Sequence, residues 1–284
     1  MKKGLVLEGG AMRGLFSAGA MDVLMENGIS FDGLIGVSAG ACFGCNYKSG
    51  QIGRVIRYNM KYCADPRYCS FRSLLKTGDL YGADFCYHEI PRSLDIFDEA
   101  AFNANPMEFH VVCTDVESGQ PYYKNCSVAD DVYMEWIRAS ASMPLVSRIV
   151  ELEGKKLLDG GISDSVPIRY FESIGYDRNI VILTQPIDYQ KQPNPMLPLM
   201  RIALGKYPRL LETMARRHEV YNETSQYIRS REAAGDLLVI RPDAPLPVGR
   251  VEHDPEKLRL TYELGRSVAE RRLAEIRTYL FEPH

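Results

Sequence analysis

The chain has 284 residues, with 34 basic and 37 acidic side chains and a formal net charge of −3. Its 45% hydrophobic and 25% charged residues are ordinary globular proportions, which exclude a disordered, collagen-like or coiled-coil chain. The near-neutral charge also argues against a nucleic-acid binder that works through bulk positive charge. A chain of this length can bury a sizeable core without disulfides or structural metal.

The cysteines and the lengths of the apolar runs indicate in which cellular compartment the protein is expected. Seven cysteines are an odd number and are spread singly, which predicts a reducing compartment rather than a disulfide framework. Cys42 and Cys45 form a C-x-x-C pair without a second pair or a suitably spaced histidine, so we interpret them as small buried helix residues. No apolar run reaches the roughly 18 residues of a membrane span. We expect a cytoplasmic protein, with peripheral membrane contact left open, and no metal or organic cofactor.

Alternating strands and helices are predicted through the first 185 residues. Residues 5–7 form an apolar run that meets two glycines, and residues 15–24 then repeat apolar side chains at helical spacing. Residues 34–37 predict a second strand that enters a small-residue helix. Residues 109–113 and 121–124 predict a hairpin, and residues 157–158 and 179–184 predict further strands. Helices are expected near residues 52–60 and 132–139, the second capped by Asp130 or Asp131.

The composition changes after residue 184. Four prolines lie between residues 185 and 198, and helical stretches follow near residues 199–233 and 255–280. A short strand at residues 237–240 separates them. The alternation predicts an α/β fold with a largely parallel sheet. We divide the chain into a core at residues 1–185 and a helical extension at residues 186–284, packed on the same domain because residues 237–240 would extend the same sheet.

Residues 36–40 read G-x-S-x-G, the strongest local signal in the chain. An apolar strand precedes them and a small-residue helix follows, which is the setting of a nucleophile elbow. The serine of such an elbow lies on a sharp turn, so Gly36 and Gly40 supply the flanking positions without bulk. The helix that follows would place partial positive charge near a developing oxyanion. We predict that Ser38 is a nucleophile.

A serine hydroxyl needs a base, and two candidates remain. Of the five histidines, only His253 is a serious candidate, because it lies in a loop-like stretch late in the chain. The alternative is Asp159, which follows a short strand and precedes Gly160 and Gly161. The two glycines let the backbone turn and leave the carboxylate accessible to a neighbouring hydroxyl.

A glycine-rich loop, residues 8–14, lies between the first strand and the first helix. Its backbone N–H groups can stabilise an oxyanion or a phosphate. A dinucleotide-binding interpretation fails, because the register Gly9-x-Ala11-x-x-Gly14 lacks the middle glycine at which backbone approaches a pyrophosphate.

Together these motifs resemble the signature blocks of the patatin-like phospholipases. The blocks are residues 9–14, 36–40 and 159–161, and residues 138–144 (Arg-Ala-Ser-Ala-Ser-Met-Pro) resemble a further block of the family. The resemblance covers about residues 4–185 and implies a three-layer α/β/α fold. It also implies a Ser38–Asp159 dyad, an oxyanion hole formed by the N–H groups of Gly10 and Ala11, and supporting roles for the remaining motif residues: Gly9, Arg13, Gly14, Gly36, Gly40, Gly160 and Gly161.

The activity implied by the resemblance is hydrolysis of lipid carboxylic esters through an acyl-enzyme. Ala11 stands where the family usually has glycine, and a positive φ there would be penalised. Arg13 fits a basic position of the family, where it either neutralises a substrate phosphate or orders the loop. Two alternatives stay open: an esterase or thioesterase with a Ser38–His253 pair, and a non-catalytic lipid or acyl binder on the same scaffold.

Residues 199–231 carry seven basic and three acidic side chains among interspersed apolar residues. This pattern fits contact with an anionic lipid surface. It also fits helices packed on the sheet with a solvated charged face, which is the interpretation we favour. The oligomeric state is left open.

Overall fold

The computed structural model describes residues 1–282 and is built around one eight-stranded sheet. The strand order is β5-β6-β3-β2-β1-β7-β8, and β4 pairs with β3 beside this path. Strands β1, β2, β3, β7 and β8 run parallel, whereas β4, β5 and β6 join through antiparallel pairs. The strands are β1 (Lys2–Leu7), β2 (Gly33–Val37), β3 (Glu108–Asp115), β4 (Pro121–Asn125), β5 (Val150–Leu152), β6 (Lys155–Asp159), β7 (Tyr176–Ile182) and β8 (Leu237–Ile240).

Helices cover both faces of this sheet. They are α1 (Gly14–Glu26), α2 (Ala39–Lys48), α3 (Arg54–Tyr62), α4 (Phe71–Thr77), α5 (Glu99–Ala104), α6 (Tyr133–Ser140), α7 (Ile168–Ser173), α8 (Leu197–Ala203), α9 (Pro208–Ala233), α10 (Pro255–Arg271) and α11 (Leu273–Phe281). Single 3-10 turns occur at Ala11–Arg13 and Gly160–Ile162, and residues Phe85–Leu94 form a π-helical segment.

Strand periodicity divides the core between the two faces. Leu5 and Leu7 of β1 point to one face and pack with α1, α2 and α10, whereas Val6 points to the other face and packs with α7 and α9. Because the central strands are covered on both sides, they are apolar almost throughout, which is typical of parallel sheets. The predicted three-layer α/β/α fold is therefore confirmed.

The C-terminal part adds to the same sheet. Strand β8 pairs in parallel with β7, so residues 237–240 extend the sheet as expected. Helix α10 packs on α1, where the Tyr262 hydroxyl donates a 2.6 Å hydrogen bond to Asp22 and Arg266 pairs with Glu26 at 2.7 Å. Burial raises the pKa of Asp22, opposed by the Tyr262 hydrogen bond.

The structure corrects several local expectations. Val132, not Asp130 or Asp131, is the N-cap of α6, and the Asp130 carboxylate instead accepts the Val132 N–H at 3.0 Å. The single stretch predicted at residues 199–233 is two helices, α8 and α9, because Pro208 cannot continue a preceding helix. Between residues 63 and 104, short helices and the π-helical segment form where the sequence showed no periodicity.

Candidate active site

Ser38 lies at the carboxyl end of β2, between that strand and α2. Its backbone has φ 55° and ψ −121°, a conformation that L-residues rarely adopt and that costs about 1–3 kcal/mol. The turn is tight enough that a Cβ on Gly36 would lie 2.6 Å from the Ala41 nitrogen, and one on Gly40 would lie 2.7 Å from the Leu7 carbonyl oxygen. The two glycines of the motif are thus required by the backbone of the turn.

The 138–144 block holds the elbow from the side. The Ser38 N–H donates to Ser140 Oγ at 2.8 Å, and Ser140 Oγ donates in turn to the Val112 carbonyl at 2.6 Å. Two residues further on, the Ser142 carbonyl accepts the Asp159 N–H at 2.8 Å. One short segment therefore anchors the backbones of both Ser38 and Asp159. The sequence flagged this block by resemblance but assigned no role to its serines.

Asp159 ends β6 and faces Ser38. The Ser38 hydroxyl donates to Asp159 Oδ2 at 2.7 Å, and the Gly161 N–H donates to Oδ1 at 2.7 Å, which orients the carboxylate. Gly160 begins the 3-10 turn that follows. Burial raises the pKa of Asp159, while the Ser38 hydrogen bond and the nearby Arg217 charge oppose that rise. A buried carboxylate with a raised pKa is well suited to accept a proton from a neighbouring hydroxyl.

The histidines within residues 1–282 have partners elsewhere. The His253 ring lies 2.6 Å from the Cys63 carbonyl through Nδ1, and His88 lies 3.0 Å from Glu135. His110 and His218 lie beside Glu108 and Glu219. His284 falls outside the described residues. The serine and the aspartate are brought together, whereas the Ser38–His253 alternative has no such contact.

The glycine-rich loop follows β1 and approaches Ser38 from the opposite side. Gly9 packs against the elbow, where an added Cβ would lie 3.1 Å from Ser38 Cβ, and Gly14 begins α1. Gly10 has extended backbone, with φ −172°, whereas Ala11 has φ 48°. The penalty anticipated for a positive φ at Ala11 is therefore present. Within residues 1–282, no hydrogen bond uses the Gly10 or Ala11 N–H as its donor.

Glu8 anchors this loop and was missed as a functional residue. Its side chain is buried, and the Thr184 N–H and hydroxyl both donate to Oε2, at 2.6 and 3.1 Å. The Tyr221 hydroxyl of α9 donates to Oε1 at 2.7 Å. The sequence signal that could have revealed Glu8 is a charged residue placed directly after a buried strand. These bonds tie the loop after β1 to the loop after β7 and to α9.

Arg217 was counted among the solvated charges of residues 199–231. The structure places it on the inward face of α9, in register with the buried Leu210, Met214 and Tyr221. Its Nε donates to the Gly161 carbonyl. Burial lowers the pKa of Arg217, and the Asp159 carboxylate opposes that effect. Its spacing from the apolar residues of the same helix was the signal that could have found it.

Two cavities meet at Ser38. The first is apolar, measures about 100 Å³ and is lined by α2, α3, the π-helical segment and α6, with Cys42, Phe43, Tyr58, Tyr87 and Ile137 among its walls. Cys42 is half-buried and Cys45 is buried, both on α2, and all seven cysteines are free thiols. The second cavity measures about 260 Å³ and has mixed walls, in which Asp159, Glu8 and the glycine-rich loop lie beside apolar side chains such as Leu145 and Met214. We call it the polar cavity, because charged side chains line it and none but Arg54 lines the first.

Residues 1–282 contain no group of three or more His, Cys, Asp or Glu side chains arranged to hold a metal ion. None of the helices described for this part of the chain is long and apolar enough to cross a membrane.

Sequence comparisons assign the family. The family described as patatin-like phospholipase matches residues 5–172, and a domain of unknown function (DUF6363) matches residues 207–281. The first match covers more than half of the 284 residues of the chain, so the chain belongs to the patatin-like phospholipase family.

Several relatives are similar over different lengths. The uncharacterized protein YjjU of Escherichia coli (strain K12) is 29% identical over 297 aligned residues, covering 98% of this chain and 79% of that protein. Lysophospholipase nte1 of Aspergillus terreus is 29% identical over 61% of this chain but only 11% of its own length. An uncharacterized NTE family protein of Mycobacterium tuberculosis is 26% identical over 63% of this chain and 48% of its own. Among solved structures, VipD from Legionella pneumophila gives a TM-score of 0.46 at 13% identity, covering 96% of this chain and 67% of VipD. The family and the lysophospholipase relatives support a lipid hydrolase.

Proposed function

We propose that this protein is a serine acyl hydrolase that cleaves carboxylic esters of lipids, with Ser38 as nucleophile and Asp159 as base. The observation that carries the proposal is the 2.7 Å hydrogen bond from the Ser38 hydroxyl to a buried aspartate. Ser38 attacks the ester carbonyl while its proton passes to Asp159 Oδ2. The proton then goes to the leaving alcohol, and Asp159 activates the water that hydrolyses the acyl-enzyme.

The oxyanion of each tetrahedral intermediate is assigned to the Gly10 and Ala11 N–H groups. Both residues line the polar cavity with Ser38, and neither N–H is used by a hydrogen bond within residues 1–282. Ala11 keeps its N–H although it lacks the conformational freedom of glycine. The amino end of α2 adds partial positive charge beside Ser38.

The substrate class is a lipid ester of the lysophospholipase type. The support is the family together with the apolar cavity, whose small volume suits one short chain or one end of a longer acyl chain. Water is poorly stabilised in such an apolar space, so an acyl chain that enters it gains about 0.8 kcal/mol for each CH₂ group buried.

We extend the proposal to organisation and location. Residues 1–185 form the catalytic core and residues 186–284 an extension packed on the same domain, supported by the β7–β8 pairing. The free thiols support a reducing, cytoplasmic compartment. Peripheral contact with an anionic membrane is supported by α8, which exposes Leu199 and Ile202 beside Arg201.

The experiment that tests the activity is fluorophosphonate labelling combined with hydrolysis of p-nitrophenyl butyrate. We expect the wild-type protein to be labelled at Ser38 and Ser38→Ala to lose both labelling and at least about a thousandfold in kcat/KM. His253→Ala is the matched comparison and keeps wild-type turnover. Loss of turnover in His253→Ala would favour the Ser-His alternative, and a wild-type protein that is not labelled would favour a non-catalytic binder.

A further inference from the structure

The polar cavity beside Ser38 carries an excess of positive charge. Four cationic side chains line it: Arg13, Lys191, Arg217 and Arg250. The two carboxylates on its walls, Glu8 and Asp159, already accept hydrogen bonds from protein groups, as described above. When all four cations are protonated and both carboxylates are ionised, the lining holds two more positive than negative charges.

The four cations are not neutralised by other carboxylates. Within residues 1–282, no ion pair involves any of them. Arg13 also has a buried Nε without a hydrogen-bond partner in this part of the chain. The Lys191 ammonium lies 4.2 Å from the centre of the Tyr221 ring. Burial, followed by the Arg217 charge, lowers the pKa of Lys191 to about 7, while Glu8 opposes the fall and Arg13 and Arg250 add to it.

The position of this cavity matches a general binding site of α/β sheets. From β1 the chain builds one side of the sheet through β2 and β3, and β7 and β8 lie on the other side. The order reverses between β1 and β7, and ligands of open α/β sheets bind outside the carboxyl ends of the strands at such a point. Glu8 follows β1 and Lys191 lies in the loop after β7.

Ser38 lies on the walls of both cavities, so a bound ester would have its two ends in different surroundings. The acyl chain matches the apolar cavity. The alcohol side of the ester then lies among the four cations. A choline or ethanolamine group there would add another positive charge, whereas a phosphate would pair with arginine and lysine through charge-assisted hydrogen bonds.

We propose that the polar cavity is a phosphate subsite formed by Arg13, Lys191, Arg217 and Arg250, which selects acyl esters whose alcohol carries an anionic phosphate group. This inference rests on the proposed function and names its substrate class. A phosphomonoester such as that of an acylated glycerol phosphate balances the excess charge, and three of the four cations lie beyond residue 185.

The test compares two soluble substrates that differ only in the phosphate: 1-hexanoylglycerol 3-phosphate and 1-hexanoylglycerol. We expect the wild-type kcat/KM to be at least about tenfold higher for the phosphate ester. Lys191→Met and Arg217→Gln each lower this ratio by about tenfold, and using the ratio cancels any common loss at Asp159. The matched controls are Lys206→Met and Arg216→Gln, which change exposed cations outside the cavity and keep the wild-type ratio.

The possible outcomes separate the subsite from the activity. A ratio near one in the wild-type protein, with Ser38 still labelled and the neutral ester still cleaved, would overturn the phosphate subsite alone. Failure to cleave either ester together with no labelling would overturn the proposed function. Inorganic phosphate should inhibit competitively against the phosphate ester. Stimulation of neutral-ester hydrolysis by inorganic phosphate would instead assign the cavity to a free anion and overturn the substrate proposal.

Discussion

The two cavities that meet at Ser38 differ in charge and in the part of the chain that builds them. The apolar cavity is lined only by residues 11–143, inside the region that matches the patatin-like family. The polar cavity also needs Lys191, Arg217 and Arg250, which follow that region. Under the proposed function, the family region therefore supplies Ser38, Asp159 and the acyl side of the site, whereas the C-terminal part completes the alcohol side.

Asp159 connects the two regions electrostatically. Its carboxylate contacts Ser38 on one side, and the Arg217 charge lies on the other. Burial raises the pKa of Asp159, and the Ser38 hydrogen bond and the C-terminal Arg217 both oppose that rise. A helix of the C-terminal part thereby affects the protonation of Asp159, the proposed base, which lies in the family region.

The largest expected effect comes from Asp159→Asn. An amide cannot accept the serine proton as a base, so kcat/KM falls by about a thousandfold or more for both hexanoyl esters, with the ratio between them unchanged. Steady-state kinetics on the two esters measure this. A loss confined to the phosphate ester would mean that Asp159 belongs to the phosphate subsite rather than to the chemistry.

The same carboxylate predicts a pH profile. Only the unprotonated base accepts a proton, so wild-type kcat/KM rises with pH through a midpoint above the ordinary aspartate value of 3.8. Arg217→Gln removes a charge that favours the carboxylate, which moves this midpoint to higher pH, whereas Arg216→Gln leaves it in place. If the midpoint in Arg217→Gln is at or below that of the wild type, Arg217 does not affect the protonation of Asp159 as inferred here.

A smaller effect is expected from filling the apolar cavity. Cys42 lies one helical turn after Ser38, and its Sγ is 3.7 Å from the Tyr87 hydroxyl. In the wild type, kcat/KM for p-nitrophenyl esters rises about fourfold for each CH₂ added from acetyl to butyryl. The phenylalanine of Cys42→Phe occupies this space, so kcat/KM no longer rises with chain length. In this variant, kcat/KM for the butyryl ester relative to the acetyl ester falls by about tenfold.

Cys42→Ala is the matched variant, because it removes the thiol without filling the cavity and keeps the chain-length dependence. Inhibition by inorganic phosphate should be the same in Cys42→Phe as in the wild type, since the proposed phosphate subsite lies in the polar cavity, which Cys42 does not line. An unchanged chain-length series in Cys42→Phe would show that acyl chains bind elsewhere.

The smallest effect concerns the membrane. Met196 and Met200 line the polar cavity, and Ile202 on the adjoining α8 is 83% exposed. Ile202→Asp removes an apolar contact and adds repulsion, so binding to vesicles containing 30% anionic lipid, measured by flotation, falls by about three- to tenfold. The control is Val128→Asp, beyond β4 near the end of the sheet where the parallel strands begin, which keeps wild-type flotation. Equal losses in both variants would exclude a specific role for α8.

The parts of the site that lie in short contiguous motifs could be predicted from the sequence. A nucleophile elbow has a short-range requirement, since the turn around Ser38 demands small residues two positions away on either side. The same local logic predicted the strand before Asp159 and the turn after it. The residues that hold these groups in place were not predicted, because Ser140, Glu8 and Arg217 act through partners 102, 176 and 56 residues away in the chain.

By itself, the sequence determined the α/β alternation and the elbow, because backbone sterics and hydrophobic periodicity act over a few neighbouring residues. The pairing of Ser38 with Asp159, 121 residues away, was expected only from the resemblance to the family. The tertiary structure decided which charges of residues 199–231 face solvent and which face the site. Arg217 and Arg216 are neighbours of the same type, yet Arg217 lies on the inward face of α9 and donates to the Gly161 carbonyl, two residues after Asp159, whereas Arg216 is exposed. That outcome depends on how α9 packs against β6 and the loop after β1, which brings together charges that are distant in the chain.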